Sequence, residues 1–341
     1  MGVTIKDVAK EANVAPSTVS RVIIDSPSIS KQTKDRVREV MERLGYYPNL
    51  QARSLVGKMT QAFGVIMPNS AYHSFQNPFF AEILRGISMQ ANQSEYGMYL
   101  STSATEEKIY EEVVTMVQGK RVDGILLLYS KKHDKVMEYL EKMKFPFVVV
   151  GRPYQKEDKI TFVDNDNFTL TKQLTEYLIE LGHSTIGFVG GNPDFIVTHD
   201  RLTGYKQALE NSGLPYCRDL VIHEEDMKAS GMVAIQNLIK LPSSPTALVC
   251  QDDLVAYELI NHLEKLEVRV PEDMSIIGFN NLALSKHYRP PLTSVDINIF
   301  QLGYEATSYL IKKINNPKLP PEKIIVSTQL VERSSCSKRI D

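Results

Sequence analysis

Two sets of residues in this chain carry usable chemistry. The first is the run Pro16-Ser17-Thr18-Val19-Ser20-Arg21. Its hydroxyls and guanidinium, with no bulky side chain among them, suit a close approach to phosphates and base edges in a DNA groove. The second is a scatter of polar and aromatic side chains around the ends of apolar runs: Asn77, Phe79, Arg152, Gln251 and Asn280. An aromatic ring can stack on a sugar, an amide offers hydroxyls both a donor and an acceptor, and a guanidinium offers fixed donors. Core packing of Phe79 and loop packing of Gln251 are the plainer alternatives. No reaction centre stands beside them. Gly187-Phe188-Val189-Gly190-Gly191 is neither GxGxxG nor a P-loop, and there is no GxSxG or HExxH. Cys217, Cys250 and Cys336 are far apart with no CxxC, which argues against zinc and against a disulfide framework and fits a reducing cytoplasm. The expectation is a binding protein and not an enzyme, with no cofactor and no metal.

The first set needs a small helical unit to present it. Ile5, Val8, Ala9 and Ala12 share one helical face after Thr4, with Asp7 in the first turn, where the helix dipole favours an anion. Asn13 tolerates a left-handed turn, and Pro16 suits the first position of a second helix. There Val19, Val22 and Ile23 form an inner stripe, while Ser17, Thr18, Ser20 and Arg21 project outward. That is a helix-turn-helix. A third helix runs from a Ser30 cap through Val37, Val40, Met41 and Leu44 to Gly45. Residues 1–60 carry ten Lys and Arg against six Asp and Glu, a net +4, which leaves −6 for the rest of the chain's total of −2. A basic head on an acidic body is the charge pattern of a nucleic-acid reader joined to something else.

The second set needs a larger scaffold. From Gln61, short apolar runs alternate with helical patterns. Strands are expected near 62–67, 97–101, 122–128, 147–150, 185–190, 220–223, 246–250 and 275–279. Helices are expected near 79–94, 105–119, 133–144, 167–182, 201–212, 229–240, 253–266 and 299–315. Alternation of this kind predicts parallel sheets covered on both faces. A break near Val163-Asp164-Asn165-Asp166 divides the series into two Rossmann-like subdomains. Ligands of open α/β sheets bind beyond the carboxyl ends of strands, so two facing sheets would share a cleft. The 341 residues hold no apolar stretch near the 18–20 that a membrane span needs, and no leader-like apolar region near the N-terminus.

The motifs of the head resemble the Lac/Gal repressor family: Thr4-Ile5-Lys6-Asp7-Val8-Ala9, Ser17-Thr18-Val19-Ser20-Arg21-Val22, and Gly45-Tyr46-Tyr47-Pro48-Asn49 with Ala52-Arg53-Ser54-Leu55. The resemblance continues through Asn77-Pro78-Phe79-Phe80, Gly119-Lys120-Arg121-Val122-Asp123-Gly124, Asp164-Asn165-Asp166, Asp200-Arg201-Leu202-Thr203-Gly204-Tyr205 and Ile277-Gly278-Phe279-Asn280-Asn281. Several of these stretches look like the maltose-operon repressors of Gram-positive bacteria.

The resemblance implies a fold: an all-α helix-turn-helix headpiece and an α/β periplasmic-binding-protein-like effector domain of two Rossmann-like subdomains. It places the headpiece at 1–60, with a hinge helix at 49–56, and the effector and dimerisation domain at 61–341. Subdomain one would be 61–162 plus 293–322, regaining a strand at 293–297. Subdomain two would be 163–292 plus 323–341. It implies that Ala15, Pro16 and Ser17 read bases and that Thr18, Ser20 and Arg21, with Thr4, hold phosphates and the groove edge. Asn49, Ala52, Arg53 and Leu55 would meet DNA from the hinge helix, with Leu55 as a wedge in the minor groove. Arg201 matches an arginine that holds the effector, a surface pair with Asp200 being the alternative. Asn280 stands where many relatives have Asp. Phe195 and Val197 replace groups that are polar in purine-sensing relatives, which argues against a purine.

The implied protein is a cytoplasmic homodimeric repressor whose partners are operator DNA and a small sugar, maltose or a relative, and not a membrane. The alternative is a global carbon-catabolite regulator whose co-regulator is a phosphorylated phosphocarrier protein.

Overall fold

The computed structural model describes residues 3–47, 59–68, 76–101, 103 and 105–339. The described contacts divide the chain into two units, 1–61 and 62–341.

Among the described residues, the first unit is a bundle of α1 (Ile5–Glu11), α2 (Pro16–Ile23) and α3 (Lys31–Leu44). Asp7 closes the start of α1, accepting from Thr4 N at 2.8 Å and Thr4 Oγ1 at 2.7 Å. Asn13 takes φ 50° in the turn, and Pro16 opens α2. Ser30 accepts from Thr33 N at the start of α3, and Gly45, at φ 65°, ends it. Val8, Ala9, Ala12, Val19, Val22, Val37 and Val40 are the buried core. All three helices contribute the apolar stripes read from the sequence.

Among the described residues, the second unit holds two six-stranded sheets. The first runs in the order β11 (Lys323–Ile325), β5 (Phe162–Asp164), β4 (Phe147–Val150), β3 (Gly124–Leu127), β1 (Ala62–Ile66), β2 (Gly97–Ser101). The second runs β12 (Gln329–Val331), β10 (Thr293–Asp296), β9 (Ser275–Phe279), β8 (Ala247–Cys250), β6 (Ile186–Gly190), β7 (Val221–His223). Every pairing is parallel except that of β10 with β12. The helices α4 (Pro78–Gln93), α5 (Glu106–Gln118) and α6 (Lys135–Lys142) lie between strands of the first sheet. Those of the second are α7 (Asn167–Glu180), α8 (Ile196–Asn211), α9 (Glu224–Ile239) and α10 (Asp253–Lys265). Helix α11 (Ile299–Asn315) returns to the first subdomain and lies against α4, where Gly86 faces the Phe300 carbonyl and Gly303 faces the Ile83 carbonyl.

Three expectations about the crossings are corrected. The segment 293–297 does not return to the first sheet. Thr293–Asp296 pairs with β9 in the second, because Ser294 Oγ donates to the buried Asp253 and Thr293 N to Ser335 Oγ. The first crossing comes after Asp164, not at 162, since Phe162–Asp164 is a strand of the first sheet. The tail from 323 is not wholly in the second subdomain, because Lys323–Ile325 extends the first sheet beside β5 and only Gln329–Val331 joins the second. Helix α8 also starts at Ile196, five residues before the expected 201, where Ile196 N is held by Ser130 O.

One side chain ties the crossings together. Asn165 is buried, and its Nδ2 donates to Ile297 O at 2.9 Å and to Val326 O at 3.2 Å, so the first crossing holds the other two.

Candidate functional site

In the head, α2 presents Ala15, Pro16, Ser17 and Arg21 to solvent, with Thr18 and Ser20 half-buried, while Val19 and Val22 are buried beneath. Thr4 is exposed as the cap of α1. The surface is small, polar and cationic. Lys34 and Arg38 are partly engaged by Asp25, and Arg43 by Glu11. The expected DNA contacts of Asn49, Ala52, Arg53 and Leu55 lie outside the described residues.

In the body, segments that follow the carboxyl ends of strands from both sheets meet. The stretch after β3 pairs with the stretch after β6: Lys131 and Phe195 form an antiparallel bridge, Lys132 N donates to Asp194 O, and Ile196 N donates to Ser130 O. Arg152, just past β4, reaches Asp200 on α8 with Nε at 2.9 Å and Nη2 at 2.5 Å. Segments past the strand ends of the two sheets therefore adjoin, the place where open α/β sheets bind ligands, and Arg152, Asp164, Asn167 and Asp200 line a cavity of about 300 Å³ beside them.

Arg201 lies in this region and is only 4% exposed. Its Nε donates to Asn167 Oδ1 at 2.9 Å, its Nη1 donates to the Gln251 carbonyl, and its guanidinium lies 3.8 Å from the centroid of the Phe279 ring. Burial pushes its pKa down to about 10, against the pull of Asp252, Asp164 and Asp253, so the cation persists at neutral pH. The surface pair with Asp200 does not form; Asp200 binds Arg152 instead. Burial and the neighbouring Asp200 push the Asp164 carboxyl up to about 6, and its Oδ1 accepts from Asn167 Nδ2 at 2.8 Å. Asn167 thus links the buried acid to the buried arginine.

Gln251 sits directly after β8. Its backbone N donates to Val189 O at 2.7 Å, while its buried Oε1 has no hydrogen-bond partner among the described residues. Thr198 Oγ1 and Ser130 Oγ are in the same condition. Thr198 and Gln251 both crowd the Cα of Gly191, where a Cβ would meet Thr198 Oγ1 at 3.1 Å and Gln251 Cδ at 3.4 Å. Unpartnered buried polar atoms are costly unless a ligand or water completes them. Ser130, Thr198 and Asn167 are not singled out by the sequence, and Asp200 enters there only as a surface partner of Arg201. Their common signal is position one to three residues past a strand or in the first turns of the next helix.

Asn280 is buried at the end of β9, with φ 97° and its N donating to Val295 O at 2.8 Å. Asn77 caps α4, its Oδ1 accepting from Phe79 N at 3.0 Å. Phe79 is half-buried and meets Phe80 edge to face at 5.1 Å, both packed against the core. Arg201 and Gln251 are in direct contact, with Phe279, the neighbour of Asn280, beneath the guanidinium. Asn77 and Phe79 bond within their own turn. Arg152 lies just past β4, lining a cavity with Asp164 and Asp200, and three of its donors are taken by Asp200 and Glu157.

Comparison with known proteins agrees with both units. Residues 4–49 match the model of bacterial regulatory proteins of the lacI family, and 175–336 match a periplasmic binding protein-like domain. The chain is 37% identical to the HTH-type transcriptional regulator MalR of Streptococcus pneumoniae over 93% of this chain and 94% of that one. It is 35% identical to catabolite control protein A of Priestia megaterium over 92% and 93%. Among solved structures, a complex of the transcriptional regulator CelR with cellobiose superposes with a TM-score of 0.76, at 29% identity over 98% of this chain and 99% of that one. On its sequence, its two units and these relatives, the chain belongs to the lacI family of bacterial regulatory proteins, DNA-binding transcriptional regulators and not enzymes.

Proposed function

We propose that this regulator represses a carbohydrate-utilisation operon and that its effector is maltose or a related maltodextrin bound in the cleft. One observation carries the sugar reading. The buried Arg201 sits where segments past the strand ends of two sheets meet, in a region that also holds polar atoms of Ser130, Thr198 and Gln251 with no hydrogen-bond partner among the described residues. Hydroxyls of a saccharide can both donate and accept, so they satisfy such groups without bringing in charge. Phe79 supplies a stacking face, and Asn77 and Asn280 supply amides. The cellobiose held by the CelR relative and the resemblance to maltose-operon repressors support this ligand class.

The head acts on operator DNA as one half of a homodimer in the cytoplasm. Ala15, Pro16 and Ser17 meet base edges, while Thr4, Thr18, Ser20 and Arg21 meet phosphates and the groove edge. Asn49, Ala52, Arg53 and Leu55 form the hinge contact. Control is by linkage. A sugar that binds the low-affinity state better lowers operator affinity, and operator lowers sugar affinity by the same factor. The likeness to catabolite control protein A favours one second reading, co-regulation by a phosphorylated phosphocarrier protein.

Calorimetric titration of the full chain with maltose, maltotriose, cellobiose and the phosphorylated phosphocarrier separates the readings. Saturable binding of a maltodextrin, abolished by Arg201→Ala, supports the proposal. Binding of the phosphocarrier alone would replace the proposal with the second reading.

A further inference from the structure

We infer that Arg152 is a positioning residue and not an effector contact: with Asp200 it forms a latch that ties the two subdomains together. This goes beyond the functional proposal and does not depend on which sugar binds. Arg152 follows β4 in the first subdomain, and Asp200 belongs to α8 in the second. Two parallel donors, Nε at 2.9 Å and Nη2 at 2.5 Å, meet the two carboxylate oxygens, while Nη1 is braced by Glu157 at 2.6 Å. A fork of this kind fixes orientation as well as distance. Asp200's side chain is 8% exposed and that of Arg152 is 28% exposed, so solvent screens the pair far less than an open surface pair.

The bridge does not act alone. Lys132 N to Asp194 O and Ile196 N to Ser130 O, each 3.0 Å, stitch the same two subdomains through main chain. Ile196 starts the helix that carries Asp200 one turn later, so the ion pair and the backbone stitch act on the same turns of α8. Asp200 also precedes Arg201, the buried cation of the cleft. With three of its five N–H donors engaged in this way, the guanidinium is held in place and not free to turn toward a sugar. Its position instead sets how far apart the walls of the site stand.

Amide hydrogen exchange on the full chain, without sugar and without DNA, tests the latch. In the native protein the amides of Lys132 and Ile196 are expected to be protected. Arg152→Ala and the near-isosteric Asp200→Asn attack the bridge from opposite sides, and each is expected to speed exchange at both amides by about tenfold. The amides of Ile125, bonded to Pro146 O inside the first subdomain, and of Gln251, bonded to Val189 O inside the second, should stay as protected as in the native protein. Such a result shows opening between the subdomains and not loss of either fold. Unprotected amides at Lys132 and Ile196 in the native protein, or unchanged exchange there in either variant, would overturn the latch. Equal acceleration at all four amides would also overturn it, by showing a merely structural role.

Discussion

Asp253 illustrates what a single residue does in the second subdomain. It is fully buried and accepts from Leu282 N at 2.7 Å and from the hydroxyls of Ser285 and Ser294, each at 2.6 Å. It thereby fastens α10 to the loop after β9 and to β10. Asp253→Ala removes the acceptor of Leu282 N and Ser294 Oγ and leaves Ser285 Oγ only Tyr257, and is expected to destabilise the fold by about 3 kcal/mol, read from denaturant unfolding. Asp164 gives a pH signature. Burial raises its folded pKa from the ordinary 3.8 to about 6, so its contribution to stability is complete below about pH 4 and lost as pH rises through 6. Asp253, pushed up to about 6 by burial, acts in the same direction. Asp164→Asn should therefore flatten the fall in thermal midpoint between pH 4 and pH 6; an unchanged profile would contradict the assignment.

At the level of elements, the α4–α11 contact is decided by two glycines. A Cβ on Gly86 would strike the Phe300 carbonyl, and one on Gly303 the Ile83 carbonyl. Neither obstacle is a flexible side chain. Gly303→Ala is expected to cost about 2 kcal/mol by forcing the helices apart, measured by equilibrium unfolding. The same elements show how far the chain could be read in advance. The strands at 97–101, 147–150 and 275–279 and the helix at 299–315 fall where periodicity places them, because each is long enough for its apolar pattern to speak. Strands β5, β11 and β12 have three residues each, too few to carry a period, and β11 is an exposed edge. Their sheet membership is set by partners far away in sequence, which is why the subdomain crossings were misplaced. The start of α8 was missed for the same reason, since Ser130 in the other subdomain completes it. Arg201 and Gln251 were legible from strand ends and motif. The unpartnered hydroxyls of Ser130 and Thr198 were not, because serine and threonine at such positions more often bond locally.

At the level of the molecule, a basic head and an acidic body divide the work, and each half makes its own prediction. Specific DNA affinity should fall steeply with salt, because phosphate contacts release condensed counterions. Replacing Arg21 by Ala should reduce the salt slope by about one and weaken binding across sequences alike. A slope unchanged in that variant would place Arg21 away from phosphate. Arg201→Ala should leave operator affinity intact while removing the response to sugar, since the arginine belongs to the body alone.

The measurement that bears most directly on the account is a fluorescence-anisotropy titration of the full chain against a palindromic operator with a central CG step, with and without maltose. The account predicts tight, salt-sensitive binding that maltose weakens. Absence of specific binding, or tight binding that maltose leaves untouched, would contradict it.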